Sequence, residues 1–242
     1  MDATVTVIPA VGLAIAFIPT AIVIGIMYVW SAGAQTALYA TLRMLVQLLL
    51  IGYVLVYIFD TDHPAIIVGV LVFMLIVASW IAIRPVRNIQ PFSYIHALSA
   101  ISIGGLLTLA VVSQAVLSIE PWFSPRYLVP LAGMIFAGSM NAVSLAAERL
   151  QSENSRGTPY RESRRIALQA ALIPITNSLF AVGLVALPGM MTGQILSGVS
   201  PLVAAKYQIV VMTMLFGASG ISAAIYLVLA GRTLRAPQQE SK

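Results

Sequence analysis

The residues best suited to chemistry in this sequence lie in one apolar stretch, residues 171–193. The stretch is long enough to cross a bilayer, since a spanning helix needs about 20 mostly apolar residues. It nevertheless carries Pro174, Asn177 and Pro188, and each proline removes a backbone hydrogen-bond donor from a helix. Membranes tolerate such interrupted helices where protein or a cavity satisfies the freed carbonyl groups, which is where transport sites lie. The pattern predicts that the protein moves a solute across a membrane.

Small and sulfur-containing residues follow the second proline. Met190 and Met191 carry thioethers, which are soft ligands that suit Cu(I). The interpretation we favour is that these flexible side chains fill gaps in packing. Gly189, Gly193 and Ser197 recur every four residues, a spacing that lets helices approach closely. We predict that the pathway passes at or beside Asn177, Met190 and Met191. We predict that the helix is interrupted with the help of Pro174, Pro188, Gly189 and Gly193.

Two further polar stripes lie in apolar surroundings. Tyr39, Arg43 and Gln47 are spaced i, i+4, i+8 and therefore share one helix face. Arg43 either extends towards the lipid headgroups or faces a polar pathway, and Gln47 lies a turn deeper. The second stripe, in another apolar run, consists of Asn141, Ser144 and Glu148. Asn141 lies deepest, where an amide usually bonds to a neighbouring helix, with ligand binding as the alternative. Arg43, Gln47 and Asn141 join the pathway candidates.

Composition excludes several other classes of protein. Of the 242 residues, 60% are hydrophobic and 9% charged, which is more apolar surface than a globular core absorbs. The absence of cysteine excludes disulfides and thiolate metal sites. The formal charge of +5 lies in loops and predicts no nucleic-acid binding. The sequence has neither a phosphate-binding G-x-x-x-x-G-K-[ST] loop nor a catalytic motif, so we expect no enzymatic activity and any ATPase on another chain.

Apolar runs separated by charges predict an all-α membrane protein with one domain, residues 1–242, and about seven spanning segments. The sixth segment is overlong and is predicted to be bent or broken. The first follows no basic residue and exceeds the usual hydrophobic core of a signal peptide, so we expect it to be retained. The predicted segments are 9–30, 38–59, 64–83, 95–118, 127–148, 167–197 and 207–230.

The basic residues predict one orientation. With the N-terminus outside and the C-terminus in the cytoplasm, only Arg126 and Lys206 of the 13 basic residues face outwards. The other eleven lie on the cytoplasmic side, as the excess of lysine and arginine in cytoplasmic loops requires. Residues 149–165 contain five of these arginines, and we expect this segment to form the main cytoplasmic loop.

Several of these segments resemble the Fet/Ybb-type iron-export ABC permeases, a group that includes the plant aluminium-tolerance permeases. The specific match is Leu-Pro-Gly-Met-Met-Thr-Gly at residues 187–193, supported by residues 171–178 and 207–209. Residues 43–48 and 52–55 resemble the second helix of that family, and residues 130–135 and 140–145 resemble its fifth. The sequence departs from the family at Gly138, where relatives carry asparagine, and retains only Gly157-Thr158-Pro159 of a longer cytoplasmic segment.

The resemblance implies the permease subunit of an exporter in the plasma or inner membrane that moves metal ions, iron foremost, out of the cytoplasm. It implies a homodimer of permeases and a separate cytoplasmic ABC ATPase that binds ATP and Mg²⁺, with no cofactor in this chain. The alternative is an ATPase-independent secondary transporter or channel, or a membrane scaffold subunit. The residues expected to dock the ATPase are Arg84, Arg87, Gly157, Thr158, Pro159, Arg161, Arg164 and Arg165.

Overall fold

The computed structural model describes residues 8–61, 63–86 and 91–235, and the regular structure within these ranges is helical. Asp62 and the docking candidate Arg87 lie outside the described residues. A π-helix, Val111–Val116, extends the fifth helix. The α-helices are α1 (Ala10–Ala16), α2 (Ile18–Val29), α3 (Ala34–Phe59), α4 (Pro64–Ala82), α5 (Pro91–Ala110), α6 (Pro125–Ser155), α7 (Tyr160–Ala181), α8 (Gly189–Leu196) and α9 (Pro201–Arg235).

Within the described ranges, six helical stretches are long and apolar enough to cross a membrane. They coincide with six of the seven predicted segments and confirm the prediction of an all-α, polytopic membrane protein. The remaining predicted segment, the sixth (residues 167–197), is divided between α7 and α8. The orientation stays a prediction. The six stretches are Ala10–Val29, Ala34–Phe59, Pro64–Ala82, Ser93–Val116, Pro125–Ser155 and Pro201–Arg232.

An N-terminal unit, Met1–Thr61, contains α1, α2 and α3. The helical path is interrupted at Phe17 because Pro19 has no N–H to continue the ladder. Gly33 precedes α3 with φ of +79°, a backbone conformation that favours glycine. In the most apolar windows of this unit, 0% of Ala10–Val29 and 6% of Ala34–Phe59 are buried. Lipid or another protein surface must therefore cover nearly all of this apolar surface.

The second unit, Asp62–Lys242, contains α4 to α9. The two longest helices, α6 and α9, pack along each other, and α5 and α7 each contact both of them. α4 packs on α5 and α6, whereas α8 contacts α9. The core of this unit therefore lies along α6 and α9.

Small residues set the spacing of the helices in this core. A side chain added at Gly104 on α5 would collide with the hydroxyl of Ser222 on α9 and lie 2.9 Å from its backbone nitrogen. Helices approach this closely in membranes where small residues occupy the interface. The contact surface of α6, α7 and α9 is built the same way, from Ala142, Ala146, Leu150, Ala167, Ala171, Ala223 and Leu227.

The predicted break lies between Ala181 and Gly189. The backbone N–H groups of Leu184, Val185 and Ala186 all donate to the Ala181 carbonyl, at 3.2, 2.8 and 3.1 Å. Gly183, with φ of +83°, allows this tight reversal. Pro188 then precedes the first residue of α8, a favourable place for a residue without an N–H. The turn presents Leu184, 90% exposed, and Val185, 86% exposed, to the surroundings of the chain.

Pro174 does not interrupt the helix, contrary to its predicted role. α7 continues through it to Ala181, because one proline removes a single donor and membrane helices accommodate the freed carbonyl locally. Gly193 likewise lies within α8. Side chains added at Gly189 or Gly193 would meet nothing within 4 Å, so these glycines do not mediate close helix packing within the described chain. The interruption instead depends on Gly183 and Pro188.

Candidate functional site

The predicted pathway residues are distributed over both units. Arg43 and Gln47 lie on α3 of the N-terminal unit, where Arg43 is half-buried and Gln47 exposed. Asn141, Asn177, Met190 and Met191 lie on α6, α7 and α8 of the second unit. The approach of the first pair to the second group stays a prediction. The structure brings Met191 into a cavity with residues of α7 and α9.

Asn141 and Asn177 are exposed on the surface of the second unit. The residues that follow Asn141, Ala142 and Val143, are buried, so the asparagine lies on the opposite side of α6 from the core. Asn177 is 12 positions beyond Arg165, or roughly 18 Å along α7 at a rise of 1.5 Å per residue. An amide at such a position in a membrane helix usually bonds to another helix. These two faces are therefore unsuited to contact with lipid chains alone.

Met191 lines a cavity of about 340 Å³ next to the helix break. The cavity lies among the end of α7, the turn, α8 and the first half of α9. Its walls are mainly aliphatic and thioether groups. Met190 is not among the lining residues and is 36% exposed. The residues that line it are Leu179, Val182, Gly183, Met191, Ala205, Gln208, Ile209, Met212 and Thr213.

Gln208 is the polar residue of this cavity that sequence reasoning did not assign. Its side chain is buried, with 4% of the residue exposed, and its Oε1 has no hydrogen-bond partner among the described residues. The Thr213 hydroxyl donates to the backbone carbonyls of Ile209 and Val210, at 2.9 and 3.0 Å. A buried acceptor without a partner costs about 1–3 kcal/mol. The available signal was an amide within the apolar run of the last segment, the same signal that identified Asn141.

The predicted docking residues Gly157, Thr158 and Pro159 lie in the corner between α6 and α7. The segment expected to be one basic loop is helical on both sides, because α6 extends to Ser155 and α7 begins at Tyr160. Only residues 156–159 connect the two helices, and Gly157 adopts φ of +78°. The Tyr160 hydroxyl donates to the Leu227 carbonyl at 2.6 Å. This bond ties the corner to α9.

Glu153 organises this corner, and sequence reasoning missed it. Its residue is 6% exposed, and its carboxylate accepts from Arg149 at 2.8 Å and from the Thr158 hydroxyl at 3.2 Å. Arg156 lies 3.6 Å from the same carboxylate. The Ser163 hydroxyl extends the network by donating to the Thr158 carbonyl at 3.1 Å. The signal was present in the sequence, since arginines at i−4 and i+3 lie on the same helix face as a glutamate.

The arginines at the start of α7 line a groove of about 520 Å³ between α7 and α9. Arg165 donates to Glu162 at 2.6 Å, and this hydrogen bond lowers the pKa of the Glu162 carboxyl. The Arg164 guanidinium lies 5.8 Å from the centre of the Tyr160 ring. The remaining described docking candidate, Arg84, lies just beyond α4 with its guanidinium 5.6 Å from the centre of the Trp80 ring.

No group of three or more histidine, aspartate or glutamate residues is arranged to hold a metal ion within the part of the chain that the structure describes. A metal that enters the cavity at the helix break would meet thioethers and an amide rather than carboxylates. Thioethers favour soft ions, and amide oxygens favour harder ones. The described lining of the cavity therefore offers a metal ion thioether and amide donors without a carboxylate.

Comparison with known proteins gives a consistent set of relatives. Residues 10–234 match the model of the uncharacterised protein family UPF0014. The UPF0014 membrane protein slr1647 of Synechocystis is 39% identical over 72% of this chain and 73% of its own length. The probable iron export permease protein FetB of Escherichia coli is 36% identical over 84% of this chain and 79% of its own. The protein ALUMINUM SENSITIVE 3 of Arabidopsis thaliana is 32% identical over 76% of this chain and 72% of its own length.

No solved structure matches the chain. The family match covers both compact units, from α1 to the last turn of α9. Together with the six apolar helices, it identifies a multi-pass protein of the cell membrane.

Proposed function

Because the chain belongs to the UPF0014 family, we propose that it is the permease subunit of an ABC-type exporter that moves metal ions, iron foremost, out of the cytoplasm. A separate ATPase subunit supplies the energy. The observation that carries the proposal is the similarity to a relative named probable iron export permease over 84% of this chain. The interrupted helix and its cavity lie within the matched residues 10–234.

The pathway proposed here passes the faces of the second unit that carry Asn141 and Asn177. Both asparagines are exposed in the single chain, and an amide in apolar surroundings is stabilised by another helix or by water. A second copy of the chain supplies both, since two copies that face each other enclose a polar space between their asparagines. Gln208 and Met191 line one cavity beside the helix break, and their amide and thioether groups are the next candidate ligands along the proposed pathway.

The α6–α7 corner is the proposed contact with the ATPase, which itself binds ATP and Mg²⁺. A coupling element must transmit movement without bending, and this corner is held by the buried Glu153 carboxylate and by the bond from Tyr160 to α9. Ser155 and Pro159 remain exposed on it. Movement of the corner would therefore be transmitted along α6, α7 and α9, the helices that carry Asn141, Asn177 and Gln208.

Copurification tests the partnership. The tagged chain would be expressed with a candidate ABC ATPase from the same genome, and the eluate examined for both chains and for ATP hydrolysis. We expect both to elute together, and Ser155→Trp or Pro159→Trp to release the ATPase by adding bulk on the corner. Arg126→Trp, at the other end of α6, is the matched control. Co-elution that is unaffected by either corner variant would refute docking at this corner.

A further inference from the structure

The groove between α7 and α9 has a charged side on α7 and an apolar side on α9. Arg161, Arg164 and Arg165 are spaced i, i+3, i+4 and therefore share one face of α7. Leu168 lies one turn further along the same helix, and α9 contributes Ala224, Leu227 and Val228. Three arginines and one glutamate line the groove, which leaves a formal charge of +2. A ligand that fits this surface needs an anionic group joined to a hydrocarbon group.

Two of the three arginines have partners within the chain. Arg165 is fixed by its bond to Glu162 at 2.6 Å, and Arg164 lies over the Tyr160 ring. Tyr160 is itself anchored by its 2.6 Å bond to the Leu227 carbonyl. Pre-organised guanidinium groups bind phosphate well, because the planar fork loses little further freedom when it forms paired hydrogen bonds.

The two walls of the groove differ in composition. Ala224, Leu227 and Val228 belong to the stretch Pro201–Arg232, which is apolar enough to cross a membrane. The arginines belong to the charged first turns of α7, which lie in none of the six apolar stretches. An amphiphile with an anionic group satisfies both walls at once.

We propose that this groove binds an anionic phospholipid, with its phosphate on Arg161 and Arg164 and its acyl chains against Leu168 and Val228. Basic pockets between membrane helices on the cytoplasmic side are suited to anionic headgroups. Arg161, Arg164 and Arg165, which the sequence analysis assigned to ATPase docking, line this lipid groove instead. The proposed ATPase contact is then the α6–α7 corner alone. The binding requires neither a metal nor an ATPase, so its test is independent of the proposed function.

Lipid titration tests this site. The purified, delipidated chain would be titrated with phosphatidylglycerol or phosphatidylcholine, and bound lipid counted by native mass spectrometry. We expect saturable binding of phosphatidylglycerol and a preference for it over phosphatidylcholine. Arg161→Gln with Arg164→Gln should weaken phosphatidylglycerol binding about 25-fold, since each basic group near a membrane surface is worth about fivefold. Arg126→Gln, at the opposite end of α6, should leave it unchanged.

A second variant tests the apolar half of the groove. Val228→Trp fills that half and leaves the arginines in place, so it should reduce phosphatidylglycerol binding while glycerol phosphate, which lacks chains, still competes weakly. Circular dichroism would check that each variant is folded. Equal binding of both lipids would overturn the proposal. So would an arginine double variant that loses the copurifying ATPase but binds phosphatidylglycerol normally, because the surface would then belong to the protein partner.

Discussion

We expect removal of the Glu153 carboxylate to destabilise the α6–α7 corner. The carboxylate joins Arg149, Thr158 and Arg156 and is almost completely buried. Glu153→Ala leaves Arg149 without its ion-pair partner, and the Nε of Arg149 is already buried without a hydrogen bond among the described residues. The corner would then retain the backbone bond from Thr158 to the Glu153 carbonyl, at 3.2 Å, but lose the three side-chain contacts of the carboxylate.

The size of the effect follows from burial. Breaking a buried ion pair by removing one partner costs about 3–5 kcal/mol, but the side chains of Arg149 and Arg156 are 38% and 65% exposed. Solvent screens both arginines, so we expect about 2–4 kcal/mol, with the lower value for a corner that relaxes. For a chain of this size, that loss lowers the midpoint of thermal unfolding by roughly 4–16 °C.

Thermal unfolding in detergent, followed by circular dichroism, measures this difference. Glu153→Gln should fall between Glu153→Ala and the wild type, because the amide still accepts hydrogen bonds but carries no charge. Glu162→Ala is the matched control, since it removes an arginine–glutamate pair that lies on α7 and is exposed to solvent. We expect this control to unfold near the wild-type midpoint. Equal shifts for Glu153→Ala and Glu162→Ala would show that burial does not decide the effect and would refute the reasoning.

The other predictions concern the pathway, the packing and the orientation. Gln208→Met should keep the free energy of unfolding within about 1 kcal/mol, because methionine has a similar volume, yet lower metal transport in vesicles; normal transport would remove Gln208 from the pathway. Asn177→Leu should leave folding intact, since the residue is exposed, but lower transport; a matching loss of folded protein would indicate a structural role. Gly104→Ala should cost about 1–3 kcal/mol in thermal unfolding by overpacking the α5–α9 contact, whereas Gly189→Ala, with open space around it, should cost less. A single cysteine at Ser155 should react with an impermeant thiol reagent in inside-out vesicles but not in intact cells; labelling of intact cells would reverse the orientation.

The features that the sequence predicted well are those that depend on local composition. Length and apolar content located the spanning helices, because a bilayer imposes both on any segment that crosses it. The interruption near Pro188 was also predictable, since proline and glycine act on the backbone of their own segment. α7 begins at Tyr160, before the predicted span 167–197. Its first turns are basic, so a search for apolar runs does not detect them as helix.

The features that the sequence did not predict depend on contacts between distant segments. Pro174 and Pro188 lie in one apolar run, but α7 continues through Pro174 and ends at Ala181, whereas Pro188 precedes α8. Glu153 lies among charged residues at the end of a segment, and its burial depends on how α7 folds back over α6. Gln208 could be recognised as a polar residue in an apolar run, but its position beside Met191 requires the helix break to return the chain to α9.

The central claim is ATP-driven export of metal through this chain. Inside-out vesicles that contain the chain and its ATPase would be supplied with ferrous iron and Mg²⁺, with either ATP or a non-hydrolysable analogue, and the iron retained inside them counted. We predict accumulation with ATP only, and none when either chain is omitted. Accumulation without hydrolysis, or with this chain alone, would contradict the account and indicate an ATPase-independent transporter or channel.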